Sequence, residues 1–354
     1  MTVRFDEALP NLIGWLSYRL GTLVSEGSEL LIVRDLRGQL RAITKAGSIL
    51  QDSAWERGDD EELDKLLGEF KAAGPFLIEL QDSSSFDGLF HASNTYALSP
   101  NHPQWRMLDQ LVTGREWLYP AASKKPTTPR MVFHGIKGGV GRSTALCMAA
   151  WHLARQGKRV LVLDLDLESP GLGSMLLPVR KDLSEDGDTG IAGWPTHGMV
   201  DWFVEDAVGQ GDDTLLRNMT QPSPLIDTGR GEILVVPAAG GLFKQDYVSK
   251  LSRVYSDMPN TQGAVEVFGD RLVRAVEALE DLHSPDVVLV DSRAGIHHIS
   301  ASVLTRLGAT CYLFASDSEQ TWAGYGSLFA HWAHKPETIR ALRTSLRVVS
   351  ALTP

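Results

Sequence analysis

The sequence predicts an α/β protein: a mostly parallel sheet with helices on both faces, preceded by a small α+β N-terminal domain. Three observations carry that expectation. After residue 131, apolar strand patterns alternate with helical ones, the rhythm of a parallel sheet covered on both faces. The strand at 159–165 is apolar almost throughout, as burial on both faces requires. Residues 121–130, rich in Pro, Ser, Thr and charge, have nothing periodic to bury and separate this region from what precedes it. The expected organisation is an N-terminal domain over 1–120, a linker over 121–130 and the α/β domain over 131–354.

Composition narrows the function classes. The 354 residues exceed one ordinary domain, and 43% apolar with 22% charged residues is globular composition. The net charge is −10, and both sides of residue 130 are acidic, so DNA is not an expected partner. Two cysteines, Cys147 and Cys311, can build neither a disulfide framework nor a four-thiolate metal site. The first thirty residues include Arg4, Asp6 and Glu7 without a sustained apolar run, so no secretory signal is read. No stretch reaches the ~20 apolar residues of a membrane span. The expected location is cytoplasmic.

In the N-terminal region, Leu12, Ile13, Leu16, Leu20 and Leu23 recur at helical spacing. Residues 29–33 and 36–43 read as a hairpin, 59–70 as an acidic amphipathic helix and 76–80 as a short buried strand. Trp55, Trp105 and Trp117 read as core or interface anchors rather than stacking platforms. His91 and His102 are isolated, and no catalytic constellation is visible.

Beyond the linker, strands are expected at 131–134, 159–165, 232–236, 286–290, 310–315 and 346–350, and helices at 143–155, 270–282 and 322–331. Residues 178–230 break the rhythm, with a loop at 185–190 and a helical stretch at 199–204. The chain ends on a strand with no helix after it to cover the sheet, which reads as a domain truncated at its C-terminus.

The chemistry concentrates in Ile136-Lys-Gly-Gly-Val-Gly-Arg-Ser-Thr144, which follows an apolar strand and opens a helix. Glycines let successive amides point inward at a helix N-terminus, a nest for di- and triphosphates. The strict pattern G-x-x-x-x-G-K-[ST] is missed twice, by Ile136 at the first glycine and Arg142 at the lysine. A lysine stands instead at Lys137.

This placement resembles the deviant Walker A motif K-G-G-x-G-K-[ST] of the MinD/ParA group of P-loop ATPases, within the SIMIBI class. The string from Lys137 to Arg142 looks like the bacterial KGGVGR variant. Other elements follow in family order: Leu163-Asp-Leu-Asp166 is similar to its D-x-D, and Gly198-Met-Val-Asp-Trp-Phe203 to the helix beyond that loop. Leu234-Val-Val-Pro-Ala238 is similar to the L-x-x-P-A strand end, and Val287 to Gly295 to Walker B running into switch II. Residues 1–120 lie outside the resemblance.

The resemblance implies an ATP- and Mg²⁺-dependent ATPase that dimerises with its nucleotide. Lys137 would reach the phosphates of a partner subunit, as an arginine finger does. Gly138, Gly139, Val140 and Gly141 would form the cradle with Arg142, and Thr144 would meet the α-phosphate. Ser143 and Asp291 would hold Mg²⁺, Asp164 would support the metal shell, Asp166 would position the attacking water, and the Gly295 amide would sense the γ-phosphate. Asp164 can equally be a strand-end cap, and Arg293 reads as a solvated switch residue. His297 and His298 lack ligand-spaced companions, and Cys147 reads as a small packed residue.

Arg142 is the departure that matters. Arginine keeps the lysine charge on a longer, planar, forked group. Nucleotide binding should survive it, while slow or absent turnover is expected if the geometry of hydrolysis changes. Two functions follow: an ATPase acting as a dimerisation switch in a bacterial regulatory or anti-phage system, or a nucleotide-gated adaptor with little hydrolysis. ParA-like DNA partitioning fits less well because of the acidity. A protein partner bound through residues 1–120 is expected in either case.

Overall fold

The computed structural model describes residues 2–20, 29–47, 55–92, 95–99, 102–111, 115–118, 122, 125–177, 193–226, 231–241, 246–259, 265–333 and 335–351. The chain forms two compact units, Met1–Tyr119 with His331–Pro336, and Pro120–Ala330 with Glu337–Pro354. Among the described residues, no helix is long and apolar enough to cross a membrane. Leu23 and the loop expected at 185–190 lie outside the described residues.

The first unit is built on a five-stranded sheet. Helix α1 (Phe5–Leu20) precedes the antiparallel pair β1 (Leu30–Arg34) and β2 (Leu40–Lys45), which are the expected hairpin. The acidic helix α2 (Arg57–Leu67) leads to β3 (Leu77–Leu80), α3 (Ser83–Phe90), β4 (Thr95–Ser99) and β5 (His102–Asp109). Strand order is β3-β2-β1-β5-β4. Alternation along the strands divides their side chains between two cores. Leu30, Ile32, Trp105 and Met107 meet Leu12, Leu16 and Leu63 from α1 and α2 on one face, while Leu31 and Leu108 meet Phe86 and Phe90 of α3 on the other. Trp105 and Trp117 are buried and Trp55 packs on the larger core, so all three act as anchors.

The second unit carries a seven-stranded sheet. Its elements run β6 (Arg130–Gly135), α4 (Arg142–Arg155), β7 (Arg159–Leu165), α5 (Leu172–Leu176), α6 (Met199–Asp206), α7 (Asp213–Asn218), β8 (Gln221–Pro222) and β9 (Glu232–Val236). After α8 (Tyr247–Val254), a two-stranded ribbon joins β10 (Met258–Pro259) to β11 (Val265–Glu266). There follow α9 (Phe268–His283), β12 (Val287–Ser292), α10 (His298–Arg306), β13 (Thr310–Ser316), α11 (Glu319–Ala333), α12 (Pro336–Arg343) and β14 (Leu346–Ala351). The order is β14-β13-β6-β12-β7-β9-β8, and every pairing is parallel except β8 with β9. This is the mostly parallel, helix-flanked α/β architecture the rhythm predicts.

In β7, Val160 and Val162 pack toward α4 while Leu161 and Leu163 are buried on the opposite face. Each such side chain contributes roughly 1.5–3 kcal/mol by leaving water. At the opposite end of the sheet, buried Arg130 forks onto Glu280 of α9 at 2.7 and 2.6 Å and donates to the Leu307 carbonyl. From β6 the chain runs to β7 on one side of it and, much later, to β13 on the other. The loops after β6, β7 and β12 therefore open together at the carboxyl ends of the central strands, where α/β sheets bind ligands.

Candidate phosphate-binding site

The loop after β6 turns on glycines. Gly139 and Gly141 have φ of 75° and 80°, a region that side chains with a Cβ enter only with strain. A Cβ at Gly138, Gly139 or Gly141 would meet nothing within 4 Å, so the backbone faces open space. Val140 is turned inward instead, its Cγ2 3.2 Å from where a Cβ on Gly135 would stand. Residues 137–144 line a cleft of about 170 Å³. Gly141 caps α4, and the first-turn amides of a helix have no intrahelical partner to satisfy. An anion is the natural occupant.

Beside this cradle sits a cluster of charge. Arg142 is buried, and its guanidinium donates from Nε to Asp291 Oδ1 at 2.5 Å and from Nη2 to Asp166 Oδ2 at 3.0 Å. Ser143 Oγ donates to the other Asp291 oxygen at 2.5 Å. Asp166 Oδ1 is buried and accepts no hydrogen bond from the described residues. Burial pushes the carboxyl groups of Asp166 and Asp291 upward, and the Arg142 charge pulls both back down.

Asp164 lies deeper. It is directly across from Asp291 in the β7–β12 register, and its side chain is fully buried. One oxygen accepts the Asp166 amide and the other accepts the amides of Gly171 and Leu172, each at 3.1 Å. Burial first, and then the neighbouring Asp291 charge, raise its carboxyl to about 7. These contacts are those of a strand-end cap shaping the loop after β7, the structural alternative the sequence left open.

The structure thus brings Arg142, Ser143, Asp166 and Asp291 together and sets Asp164 behind them. Lys137 is half-buried on the cradle's rim with no ion pair to a described residue, and Thr144 is exposed. The Gly295 amide is not free in this arrangement: it donates to the Gly135 carbonyl at 2.9 Å, and Gly295 has a φ of 90°. Arg142, expected on phosphates, is instead paired with two carboxylates. The expectation that Arg293 is merely solvated also needs correction, because it is ion-paired with Glu168. Cys147 packs on the core as expected, and burial raises its thiol to about 11.

Some participants were not visible in the sequence. Gly324 of α11 lies so close to the cradle that a Cβ there would be 2.6 Å from Ile136 Cγ2. Gly198 similarly lets the start of α6 approach the end of β9, where Met199 and Val200 donate to the carbonyls of Pro237 and Ala238. Two motifs read separately along the chain are therefore one contact. Glu168 follows Asp166 by two residues, but its partners Tyr255 and Arg293 come from distant segments.

The oxygen donors fit Mg²⁺ in type: a hydroxyl, a carboxylate and a buried carboxylate oxygen without a partner. Among the described residues no three His, Cys, Asp or Glu side chains form a ready cage. Mg²⁺ does not require one, since it keeps several waters and shares itself with substrate phosphates.

A ParA family model, described as NUBPL iron-transfer P-loop NTPase, matches residues 129–204. Among curated proteins there is no match. Among solved structures, a plasmid partition protein from Borrelia burgdorferi is 15% identical, with a TM-score of 0.39 over 64% of this chain and 78% of that one. A ParA family ATPase from Chlorobium tepidum is 16% identical, with a TM-score of 0.39 over 63% and 74%. The cobyrinic acid a,c-diamide synthase of Mycobacterium smegmatis, with bound ADP and magnesium, is 16% identical, with a TM-score of 0.40 over 63% and 72%. From the first strand of the large sheet into the helix at Met199–Asp206, the chain is thus similar to the ParA family of P-loop NTPases.

Proposed function

We propose that the protein binds ATP with Mg²⁺ at residues 137–144 and that its nucleotide state controls the pairing of two copies, with ATP hydrolysis as the reset. The observation that carries this reading is the meeting, at three adjacent strand ends, of an open glycine cradle, the Ser143 hydroxyl and the carboxylates of Asp166 and Asp291. Mg²⁺, when bound, supplies positive charge against the phosphates. Ser143 and Asp291 would hold it, with Asp164 behind them fixing the loop. Arg142 must then release Asp291, and the cradle beside it offers phosphate oxygens in exchange. Asp166, freed from Arg142, can accept a hydrogen bond from water through the oxygen that now has no partner.

Lys137 precedes the cradle and, unlike Arg142, has no ion pair among the described residues. In this proposal it reaches a second, triphosphate-loaded copy, where a charge-assisted bond offsets the repulsion of two anionic sites. The first unit would serve partner recognition. The link to bacterial regulatory or anti-phage systems rests on the KGGVGR resemblance alone.

One observation favours the adaptor reading: the residue assigned to water is itself held by Arg142 at 3.0 Å. Turnover and calorimetric ATP affinity, measured together on wild type and Asp166→Ala, separate the two. The enzyme reading expects hydrolysis to fall with affinity nearly unchanged. Wild-type turnover at background, with ATP binding intact, gives the adaptor reading the site.

A further inference from the structure

The loop after β7 holds an acidic residue for which this chemistry has no use, and it meets the one charged residue of the segment 293–297. Glu168 Oε1 accepts the Tyr255 hydroxyl at 2.6 Å and is ion-paired with Arg293. Its other oxygen is buried and has no hydrogen-bond partner among the described residues. Arg293 Nη1 also lies 3.1 Å from His297 Nε2. That ring is held neutral, because burial and the neighbouring guanidinium lower it to about 4. Arg293 is thus held by one charged acceptor, with a neutral ring beside it.

Its position in the chain matters. Arg293 stands two residues after Asp291 and two before Gly295, between the carboxylate proposed for Mg²⁺ and the amide expected near a terminal phosphate. Its charge reaches the site already, where it acts with Arg142 against the upward push of burial on Asp166. A terminal phosphate carries more charge than a carboxylate and offers three oxygens to a forked donor. It would outcompete Glu168 for the guanidinium. A nucleoside diphosphate has its terminal group one phosphate short of that position. Tyr255 keeps Glu168 in place after the exchange, because its hydroxyl is a separate donor.

We infer that Arg293 distinguishes a nucleoside triphosphate from a diphosphate, and that Glu168 is the counter-ion that holds it off the site until a terminal phosphate arrives. This rests on the nucleotide-binding reading above and adds to it the residue pair that reads the third phosphate. The pair also ties the loop after β7 to the loop after β12, so both rearrange when the exchange occurs.

Calorimetric titration of the full chain with Mg²⁺, using ADP and a non-hydrolysable ATP analogue, tests it on wild type, Arg293→Ala, Arg293→Lys and Glu168→Gln. Arg293→Ala should weaken the triphosphate analogue about tenfold or more, the worth of a hydrogen bond to a charged group, with ADP changed less than about twofold. Arg293→Lys should recover part of the loss. Glu168→Gln, which removes the competitor, should tighten the analogue and leave ADP alone. Equal weakening of both nucleotides by Arg293→Ala, or weakening of the analogue by Glu168→Gln, would make the pair a structural clasp and overturn the inference. Circular dichroism of each variant guards against misfolding, and Glu168→Gln remains decisive if Arg293→Ala fails to fold. Wild type that binds neither nucleotide would instead overturn the phosphate-site reading, and this inference with it.

Discussion

The two units use buried charge in opposite ways. In the first, buried carboxylates are tied to cations of neighbouring elements: Asp109 beside Arg34 joins β5 to β1, and Asp59 beside Arg19 joins α2 to α1. These pairs fasten one element of the sheet or helix layer to the next. In the second unit, Asp166 and Asp291 share the guanidinium of Arg142, and Asp164 lies behind them with its carboxyl raised by burial. Unbalanced buried charge is costly to fold. It persists where something else supplies the missing cation, so the imbalance marks the site that binds and the balance marks the scaffold.

The largest expected difference between the units comes from the backbone. Gly141→Val forces a β-branched residue into φ 80°, and the loop can relieve that strain only by abandoning the cradle. Strain of this kind, worth at least ~1–2 kcal/mol, should weaken calorimetric ATP affinity about tenfold or more. Arg142→Lys keeps the cation and should bind at least comparably. Equal affinity in wild type and Gly141→Val would remove the phosphate-binding assignment. Among glycines of the first unit, Gly47 also has positive φ, at 70°, and replacing it should leave ATP affinity untouched.

Paired carboxylate substitutions sharpen the contrast. Asp109→Asn leaves Arg34 facing a neutral group in a mostly buried position, and should destabilise the first unit by about 3 kcal/mol in denaturant unfolding. Asp291→Asn removes a charge from a cluster with too many, leaving Arg142 its pair with Asp166 and relieving Asp164. Its cost to the second unit should be clearly smaller, while Mg²⁺-dependent nucleotide binding is lost. If Asp291→Asn destabilises as much as Asp109→Asn, the acidic cluster is structural and the comparison fails.

The same contrast explains what could be read from the sequence. The glycine run, Asp166 and Asp291 were legible because local rules fix them: a cradle needs glycines in series, and parallel strands deliver their C-terminal residues to one edge. The strands of the large sheet other than the short β8 were legible from near-continuous apolar runs, with ends shifted by a residue or two. The Arg142 pairing was not, since nothing local tells an arginine to bond carboxylates rather than phosphate. Glu168 was missed for a related reason: Tyr255 and Arg293 lie 87 and 125 positions on, and only the fold brings them together. In the first unit the first helix, the hairpin, the acidic helix, the strand after it and the anchoring tryptophans were readable, while α3, β4 and β5 were not. Ion pairs that fasten elements leave no chemical signature, so the role of that unit was not readable either.

The smallest expected effect is a pH dependence confined to the second unit. His134 is buried there and His297 and His298 are half-buried, and burial above all lowers them from 6.5 to about 3, 4 and 4. Between pH 6.5 and about 4 the unfolded chain binds protons at these rings that the folded unit does not, so stability falls as the pH falls through this window. Asp164 works the other way. Its folded value of about 7 lies above the 3.8 of a free carboxyl, so the folded unit holds a proton that the unfolded chain releases, and stability is gained as the pH falls from 7 toward 4. His283, also lowered by burial, joins the three rings, while Asp166 and Asp291, raised by burial but pulled back by Arg142, join Asp164; the rings are expected to set the sign, a loss on acidification. Hydrogen-exchange protection of the β7 and β12 amides, corrected for intrinsic rates, should therefore decline from pH 7 to pH 5. Asp164→Asn removes the opposing contribution and should steepen that decline, even though losing an amide acceptor lowers protection at every pH. A flat profile in wild type would show that the lowered rings do not outweigh the raised carboxyls. A profile no steeper in Asp164→Asn would show that Asp164 is ionised in the folded unit, and the acidic cluster would then carry one more negative charge than the balance drawn here allows.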